Sequence, residues 1–399
     1  MKYNFDKIEN RKNTSCLKWD MMEDIFGCDD LIPMWVADMD FPSPQPIVKA
    51  IKKRADHPFF GYTQAPQTLI DTVVKRVKDK FKWNIKSEWI VFTPGVMSGL
   101  NIALNSLTHP GDRVILQEPC YHQFFPVVKN SGCQIVTNPL KLVDKKYEID
   151  FENLKEIFSY KQGHKPYYKP IKTIIFCNPN NPTGRVWRKE EIEKLGNIAI
   201  ENNLTVIADE IHSEILLNGN KHTTFGSVSK EFEENCIVCI SPSKTFNLSG
   251  IHISPIIIPN EKIRREFIAT MNSMVPSPDI FAYTALEAGF KYGDDWLKQV
   301  LEYLEENLNL LKDYFKDIKG MTPIIPEGTY LVWIDCKGLE MDNETLNEFL
   351  KKEAKVCLED GSLFGTNGKG FMRMNIAMPR PLLEEALKRI KNAVYTLNL

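Results

Sequence analysis

The chain has 399 residues, which suits two or three domains of roughly 100–200 residues each and excludes a small scaffold held by disulfides. Its 50 Lys+Arg and 52 Asp+Glu give a net charge of -2, and no block of like charge stands out, so nothing indicates a nucleic-acid or acidic-lipid partner. The hydrophobic fraction of 43% is typical of a soluble globular protein. We therefore expect the partner to be a small molecule.

The N-terminal sequence lacks the apolar core of a signal peptide, and no run approaches the ~18 apolar residues of a membrane-spanning helix. We expect no membrane association and a cytoplasmic location. Nine cysteines are scattered without a framework spacing, which favours reduced thiols. One pair, Cys236 and Cys239, forms a CxxC motif within CIVCI, but this run is typical of a β-strand, on which residues three apart face opposite sides.

From about residue 63 to 260, helical periodicity alternates with short apolar runs, as expected of βα units around a mostly parallel sheet. Apolar residues at helical spacing predict helices at Leu69–Phe81 and Val96–Leu107. The predicted buried strands are Trp89–Phe92, Arg113–Leu116, Ile171–Phe176, Leu204–Ala208 and Cys236–Ile240. In such α/β sheets, ligands bind beyond the carboxyl ends of the strands.

The last hundred residues have a different pattern. A long amphipathic helix around Trp296–Leu311 precedes two strand-like runs, YLVWID and FMRMNI, and a closing helix, PLLEEALKRIKNAV. This pattern predicts a smaller α+β domain formed by residues 1–49 and 291–399, beside a large α/β domain of residues 50–290. The first ~50 residues are irregular and could pack with either part.

Chemically distinctive residues follow four of the strands. Gly95 precedes a helix whose N-terminus can bind an anion, Asn180 and Asn181 lie in a turn, and Asp209 and Lys244 follow two further strands. Pyridoxal phosphate (PLP) requires a lysine for an imine, a carboxylate for its pyridine nitrogen, a donor to its phenolic oxygen and a phosphate site. The joint occurrence of these groups in this order predicts a PLP enzyme.

The chain also resembles a known family. MWVADMDFP, FGYT, CNPNNPTGRVW, ADEIHSE, SPSKTFNLSG, EGTYLVWIDC and FMRMNIAMPR, spanning residues 34 to 380, are similar to motifs of fold-type I PLP-dependent enzymes of the aspartate aminotransferase superfamily. More narrowly, they resemble the PatB/MalY-like cystathionine β-lyase group. The resemblance implies a fold-type I PLP-dependent transferase fold and a homodimer with active sites at the subunit interface.

The resemblance also implies roles for individual residues. Lys244 would form the imine and move the Cα proton, and Arg373 would bind the substrate α-carboxylate. The remaining cofactor contacts would come from Asp209 at the pyridine nitrogen, Asn181 at the phenolic oxygen, Tyr121 stacked on the ring, Val96, Met97, Ser241 and Ser243 at the phosphate, and Tyr62 reaching the phosphate of the neighbouring subunit.

Three histidines also lie in or near the predicted site. His252 stands where many aminotransferases of the superfamily carry a phosphate-binding arginine, a departure that agrees with the lyase group. His122 follows the stacking tyrosine and could face the leaving group, although proximity alone makes it only a candidate. His212 either orients Asp209 or has a purely structural role.

The reaction implied is α,β-elimination from L-cystathionine or a related L-cysteine S-conjugate, giving pyruvate, ammonia and a thiol. An aminotransferase on the same fold is the main alternative, because both reactions begin with removal of the Cα proton. A second alternative is a regulatory role, since some lyases of this group also bind a transcription factor. The sequence does not identify the physiological thioether or the pathway.

Overall fold

The computed structural model describes residues 2–159 and 169–397. Its helices are Leu17–Asp20, Met22–Phe26, Gln45–Ala55, Gln67–Phe81, Val96–Leu107, Phe124–Asn130, Phe151–Ser159, Lys189–Glu201, Lys230–Glu234, Pro242–Thr245, Glu261–Met274, Ile280–Tyr292, Asp294–Phe315, Asn343–Lys352 and Arg380–Tyr395. Its strands are Ile32–Pro33, Ile90–Thr93, Arg113–Leu116, Gln134–Thr137, Lys141–Val143, Lys146–Glu148, Ile171–Cys177, Thr205–Asp209, Cys236–Cys239, Ser254–Ile257, Thr322–Ile324, Leu331–Asp335, Val356–Cys357, Glu359–Asp360 and Phe371–Asn375.

A seven-stranded sheet forms the centre of the molecule. In spatial order its strands are Ile90–Thr93, Ser254–Ile257, Cys236–Cys239, Thr205–Asp209, Ile171–Cys177, Arg113–Leu116 and Gln134–Thr137. Ser254–Ile257 runs antiparallel to both neighbours, whereas the other pairs are parallel. The predicted mostly parallel sheet and the α/β fold are therefore confirmed. The apolar runs also predicted five of these strands, with ends that differ by at most one residue.

A second sheet of four strands is formed near the C-terminus, in the order Thr322–Ile324, Leu331–Asp335, Phe371–Asn375 and Glu359–Asp360, with all pairs antiparallel. The long predicted helix is Asp294–Phe315, whose apolar face is buried, and it packs against the closing helix Arg380–Tyr395. Helices and an antiparallel sheet are thus present where the sequence predicts an α+β region. The division at residue 290 stays a prediction.

The N-terminal segment contacts both parts of the chain. Ile32–Pro33 pairs in parallel with Val356–Cys357, while helix Gln45–Ala55 packs on Ile280–Tyr292. Between them, residues 35–41 form a strap without regular secondary structure, held at nearly every peptide group. Carbonyl oxygens of this strap accept hydrogen bonds from Lys244 and Asn247, which follow a strand of the central sheet. Others accept from Arg373 and Asn375 on the second sheet. The strap is therefore a fixed bridge across the two sheets.

The cysteines and the helices bear on further predictions from the sequence. Cys236 and Cys239 lie on one buried strand with free thiols, which confirms the interpretation of CIVCI as a strand. The nine cysteines are all free. Within residues 2–159 and 169–397, no helix combines the length and apolar character needed to cross a bilayer.

Candidate active site

A cavity of about 430 Å³ lies at the carboxyl ends of the central strands. The predicted site residues that line it are Val96, Met97, Tyr121, Asn181, Asp209, His212, Ser243 and Lys244. These residues come from separate segments between Val96 and Lys244, and they meet because parallel strands present their carboxyl ends at one edge. Ser241, Arg373 and Tyr62 are not among the residues that line the cavity.

Lys244 lies on the short helix Pro242–Thr245, which follows the strand Cys236–Cys239. Its Nζ donates to the backbone oxygen of Ala37 at 2.7 Å and lies 3.4 Å from Ser249 Oγ. Burial lowers the pKa of Lys244 to about 8, against the opposing effect of nearby carboxylates. A lysine with this pKa supplies an appreciable fraction of uncharged, nucleophilic amine near neutral pH.

Asp209 is the last residue of its strand and pairs in register with Cys177 on one side and Cys239 on the other. Its Oδ1 accepts the N–H of Ile211 at 3.1 Å. Burial raises the pKa of Asp209 to about 7. A buried carboxylate of this kind is stabilised by a cationic N–H partner, which the cavity has room to admit.

The N-terminus of helix Val96–Leu107 faces the same cavity. Gly95 adopts φ 84°, a conformation that favours glycine, and so turns the chain from strand Ile90–Thr93 into the helix. The N–H groups of the first helical turn have no partner within the helix, and together with the helix dipole they attract an anion. His252 lines the cavity beside Gly95: a Cβ built on Gly95 would lie 4.0 Å from His252 Nδ1.

The two predicted serines have different surroundings. Ser243 lines the cavity. Ser241 instead caps helix Pro242–Thr245 by accepting the N–H of Ser243 at 3.1 Å, and its hydroxyl donates to the backbone oxygen of Ile253 at 2.8 Å. Ser241 thus fixes the start of the helix that carries Lys244. Its predicted contact with the phosphate stays a prediction.

Arg373 is buried on strand Phe371–Asn375 and lies just outside the cavity wall. Its Nη1 donates to Asn181 Oδ1 at 3.1 Å, and its Nη2 donates to Trp35 O at 2.7 Å and to Glu359 Oε2 at 3.3 Å. Its Nε is buried without a hydrogen-bond partner in the described residues, and its guanidinium lies 4.9 Å from the centre of the Phe364 ring. The group keeps unused donor capacity, as an arginine that binds a carboxylate requires.

Tyr121 and His122 follow the strand Arg113–Leu116 and precede helix Phe124–Asn130. Their rings meet edge to face, 4.8 Å apart, and His122 also contacts the Phe364 ring at 5.6 Å. Burial, with a smaller contribution from Arg373, lowers the pKa of His122 to about 4. His122 is therefore a neutral imidazole at neutral pH, and its proposed contact with a leaving group stays a prediction.

His212 is buried, lines the cavity and packs edge to face on Tyr330 at 6.1 Å. Burial and the nearby charges of Lys244 and Arg373 hold its pKa well below the ordinary value of 6.5. Its Nδ1 has no hydrogen-bond partner among the described residues. The imidazole is thus neutral, and neither of its two predicted roles is tested by this geometry.

Tyr62 lies in an exposed segment without regular structure and is not among the residues that line the cavity. Its side chain is fully exposed, and those of Phe59 and Phe60 are 71% and 61% exposed. Three neighbouring exposed aromatic rings are unusual on the surface of a monomer.

Six residues that line the cavity were not singled out from the sequence: Ala37, Pro94, Ser98, Cys177, Ile211 and Ser249. Ala37 contributes its backbone oxygen, for which a sequence has no side-chain signal. Cys177 ends the strand Ile171–Cys177, so its position at a strand end could have identified it.

The sequence matches the family model described as "Aminotransferase class I and II" over residues 29–390. The chain belongs to this family. The matched residues include both sheets and every residue described above as lining the cavity.

Three known proteins are similar to this chain along nearly its whole length. Cystathionine beta-lyase PatB of Bacillus subtilis is 39% identical over 394 residues, covering 98% of this chain and 100% of that protein. A PLP-bound putative aminotransferase from Clostridium difficile has a TM-score of 0.94 at 39% identity, covering 98% of this chain and 100% of the other. Cystalysin from Treponema denticola, whose structure contains pyridoxal 5'-phosphate, has a TM-score of 0.94 at 34% identity and covers 100% of both chains.

Proposed function

We propose that this protein is a PLP-dependent carbon–sulfur β-lyase that performs α,β-elimination on L-cystathionine or a related L-cysteine S-conjugate. The observation that carries the proposal is Lys244, an amine whose pKa lies near 8, facing Asp209 and a helix N-terminus across one cavity. The cystathionine β-lyase PatB, similar along its whole length, supports the lyase reaction.

The donor groups of the cavity fit pyridoxal phosphate. Lys244 would link to the cofactor aldehyde, and Asp209 would accept from the protonated pyridine nitrogen, which removes the cost of burying an unpaired carboxylate. The N–H groups of Val96 and Met97, with the Ser243 hydroxyl, would hold the phosphate. When bound, the cofactor accepts the electron pair left behind as a proton leaves Cα of an amino acid.

The protein's own residues would then bind the substrate and move its proton. Arg373 offers a planar guanidinium that matches the two oxygens of the α-carboxylate. An ammonium group lacks this planar geometry. Asn181, held by Arg373 through its Oδ1, keeps its amide NH₂ available as a donor to the cofactor's phenolic oxygen. The Lys244 amine would take the Cα proton at Nζ, and departure of a thiolate from Cβ would complete the elimination.

An aminotransferase reaction is the second candidate, because a putative aminotransferase of the same family is 39% identical to this chain. In that reaction, the proton taken by Lys244 returns to the cofactor and no β substituent leaves. The two reactions use the same residues, so substrate placement and product analysis distinguish them.

The deciding experiment mixes the purified, PLP-loaded protein with L-cystathionine and follows pyruvate, free thiol and the visible spectrum together. A lyase forms pyruvate and thiol in equal amounts over many turnovers without an added keto acid. A single turnover that ends in a pyridoxamine spectrum and is reversed only by a keto acid would instead establish an aminotransferase. Lys244→Ala should remove the visible band of the lysine-linked cofactor, whereas Lys262→Ala, on an exposed helix position, should leave it unchanged.

We also infer a homodimer in which Tyr62 reaches the phosphate site of the neighbouring subunit. The full exposure of Tyr62 and of the adjacent phenylalanines supports this inference, since a second copy would bury them. The predicted cytoplasmic location stays a prediction.

A further inference from the structure

Glu359 is the one carboxylate among the described residues that contacts Arg373. It lies on the outermost strand of the four-stranded sheet, Glu359–Asp360, directly opposite Arg373 in the register of the two strands. Its Oε2 accepts from Arg373 Nη2 at 3.3 Å. The side chains of Glu359 and Arg373 are only 11% and 2% exposed, so water screens the attraction between their charges weakly.

This contact occupies a donor that a bound carboxylate needs. A guanidinium binds a carboxylate through two parallel N–H groups, either from Nη1 and Nη2 or from Nε and Nη2, so Nη2 takes part in both arrangements. In Arg373, both N–H groups of Nη2 already have acceptors, Trp35 O at 2.7 Å and Glu359 Oε2. Within the described residues, Nε has no partner and Nη1 donates only to Asn181. Two-point binding of a substrate carboxylate therefore requires one acceptor to leave Nη2.

Glu359 is the acceptor that can leave. Trp35 O is a backbone atom of the strap and makes the shorter contact, whereas the Glu359 carboxylate ends a flexible side chain and makes the longer one. Within residues 2–159 and 169–397, the Glu359 carboxylate has no hydrogen bond other than the one from Arg373. A single long hydrogen bond is weaker than the two parallel ones that a ligand carboxylate would form.

We propose that Glu359 is a positioning residue that pairs with Arg373 in the empty site and gives way to the substrate α-carboxylate. The inference rests on the proposed function in taking Arg373 as the residue that binds this carboxylate. Ligand and Glu359 carboxylates would then lie beside one guanidinium, and like charges at short range disfavour ionisation of one of them. The ligand gains two hydrogen bonds while Glu359 loses its own, so Glu359 takes up a proton from solvent as the ligand binds.

The groups around Glu359 favour this uptake of a proton. Burial raises the pKa of Glu359, Arg373 opposes this effect, and the charge of the adjacent Asp360 adds to it. The charge of Glu359 also acts on Tyr121 and Cys357, but burial raises the pKa of both, so they are uncharged at neutral pH. Arg373 is thus the cation that keeps Glu359 ionised, and a ligand carboxylate on Arg373 weakens that effect.

The test uses 3-(methylthio)propanoate, which has the carboxylate and thioether of a substrate but no amine to react with the cofactor. Calorimetry gives its Kd for the PLP-loaded protein at pH values between about 5 and about 8. We expect Glu359→Gln to lower the Kd at pH 8 by about tenfold, the factor that one unit of pKa shift represents. A residue that only held Arg373 in place would have the opposite effect, because its loss would weaken binding.

The pH dependence tests the protonation step separately. In the unaltered protein, Glu359 becomes protonated as pH falls, and a protonated side chain no longer repels the ligand. The ratio of the Kd of the unaltered protein to that of Glu359→Gln should therefore be largest at pH 8 and decrease towards pH 5. Titration of groups common to both proteins, such as Lys244, cancels in this ratio.

Asp360→Asn is the matched control. It removes a carboxylate one residue away, but this side chain accepts from Asn343 Nδ2 at 2.7 Å and from Asn347 Nδ2 at 2.9 Å and makes no contact with Arg373. Adjacent residues of a strand point to opposite faces, so Asp360→Asn should change the Kd by about twofold or less.

If Glu359→Gln does not fold, the unaltered protein still tests the proposal. Calorimetry in two buffers with different heats of ionisation measures the protons taken up as 3-(methylthio)propanoate binds, and the visible spectrum reports any proton gained by the lysine-linked cofactor. We expect an uptake larger than the spectrum accounts for. An uptake that the spectrum accounts for completely would contradict the role of Glu359.

A Kd at pH 8 that is unchanged or higher in a folded Glu359→Gln variant, or a ratio that does not decrease as pH falls, would overturn the proposal. Arg373→Ala separates this failure from failure of the proposed function. Binding of 3-(methylthio)propanoate to Arg373→Ala as tight as to the unaltered protein would contradict the carboxylate site of the proposed function. Weaker binding to both Arg373→Ala and Glu359→Gln would contradict the role of Glu359 alone.

Discussion

Arg373, on a strand of the four-stranded sheet, and Asn181, in the turn that follows the central strand Ile171–Cys177, are joined by one hydrogen bond, from Arg373 Nη1 to Asn181 Oδ1 at 3.1 Å. The residue proposed to bind the substrate carboxylate therefore also orients the amide proposed to contact the cofactor. Any ligand that moves the guanidinium also acts on that amide, so the substrate and cofactor contacts are coupled.

Replacing Arg373 should weaken substrate binding far more than cofactor binding. We expect Arg373→Ala to raise KM for α-amino acids by a factor that corresponds to about 2–4 kcal/mol, because a charged hydrogen-bonding partner is lost. Arg373→Lys should recover only part of this loss, since an ammonium lacks the planar fork. Steady-state kinetics measure the effect. Asn181→Ala serves as the comparison, because we expect it to reduce the affinity for PLP more than it raises KM. An unchanged KM in Arg373→Ala would mean that the carboxylate binds elsewhere.

Asp209 gives a pH-dependent stability in the PLP-free protein. Burial raises its pKa from 3.8 to about 7, so between these values the folded state binds more protons than the unfolded state. The free energy of unfolding should then fall as pH rises from about 4 to about 7, by at most about 4 kcal/mol.

Asp209→Asn removes this ionisation. In the PLP-free state the variant should have a higher Tm than the unaltered protein at pH 8, and the difference should shrink as pH falls towards 5. In the PLP-loaded state the order should reverse at pH 8, because the variant lacks the carboxylate for the pyridine nitrogen. Calorimetry at several pH values checks both. A difference in Tm that is independent of pH would show that Asp209 does not titrate in this range.

Tyr62 can be tested by mixing two inactive variants. If Tyr62 serves the neighbouring subunit, a hybrid of Tyr62→Ala and Lys244→Ala chains contains one site with both native residues. Random reassembly should then restore about a quarter of the unaltered activity, since half of the dimers are hybrids with one working site each. Activity after mixed refolding measures this, with each variant refolded alone as the control. Absence of recovery would indicate sites formed within single chains.

Arg76 should be essential for stability although it lies outside the site. It is buried, ion-paired with the buried Glu214, and it donates from Nη1 to Asp294 Oδ1 at 2.6 Å and to Phe290 O at 3.2 Å. Arg76→Ala removes the hydrogen-bonded partner of the Glu214 carboxylate and leaves it only Lys80 Nζ, 4.0 Å away, so it should lower the free energy of unfolding by about 3–5 kcal/mol.

Urea unfolding measures the loss, and the adjacent Lys75→Ala is the matched control. The Lys75 side chain is 77% exposed and ion-paired with Asp79, so its removal should change stability by about 0.5 kcal/mol or less. Equal effects of the two substitutions would mean that the Arg76 network contributes little.

The apolar runs predicted much of the architecture, and the residues at strand ends predicted much of the cavity. Both predictions were possible because the spacing of apolar residues, and the burial it indicates, are local properties of the chain. Lys244, Asp209 and Asn181 could be found since each follows a recognisable strand. The strap could not be predicted in the same way. Ala37 acts through its backbone oxygen and meets Lys244 across roughly 200 residues, a distance over which periodicity carries no information.

Ser241 shows a related limit. Its contact with the phosphate stays a prediction, whereas the structure shows the hydroxyl capping the helix and donating to Ile253 O. A serine beside a helix start can bond to either kind of partner, and the sequence does not show that the cap is formed. Two central strands, Gln134–Thr137 and Ser254–Ile257, were not predicted, and in Ser254–Ile257 the residue Pro255 argues against a strand.

The antiparallel strand Ser254–Ile257 has a consequence for synthesis of the chain. Ile90–Thr93 lies at one end of the central sheet and pairs with Ser254–Ile257 alone, which the ribosome makes roughly 160 residues later. At about 5–20 residues per second, the earlier strand stays without its neighbour for about 10–30 seconds. The nascent chain must therefore keep a short apolar segment, directly before Gly95 and the proposed phosphate site, from associating elsewhere until more than half of the protein has left the ribosome.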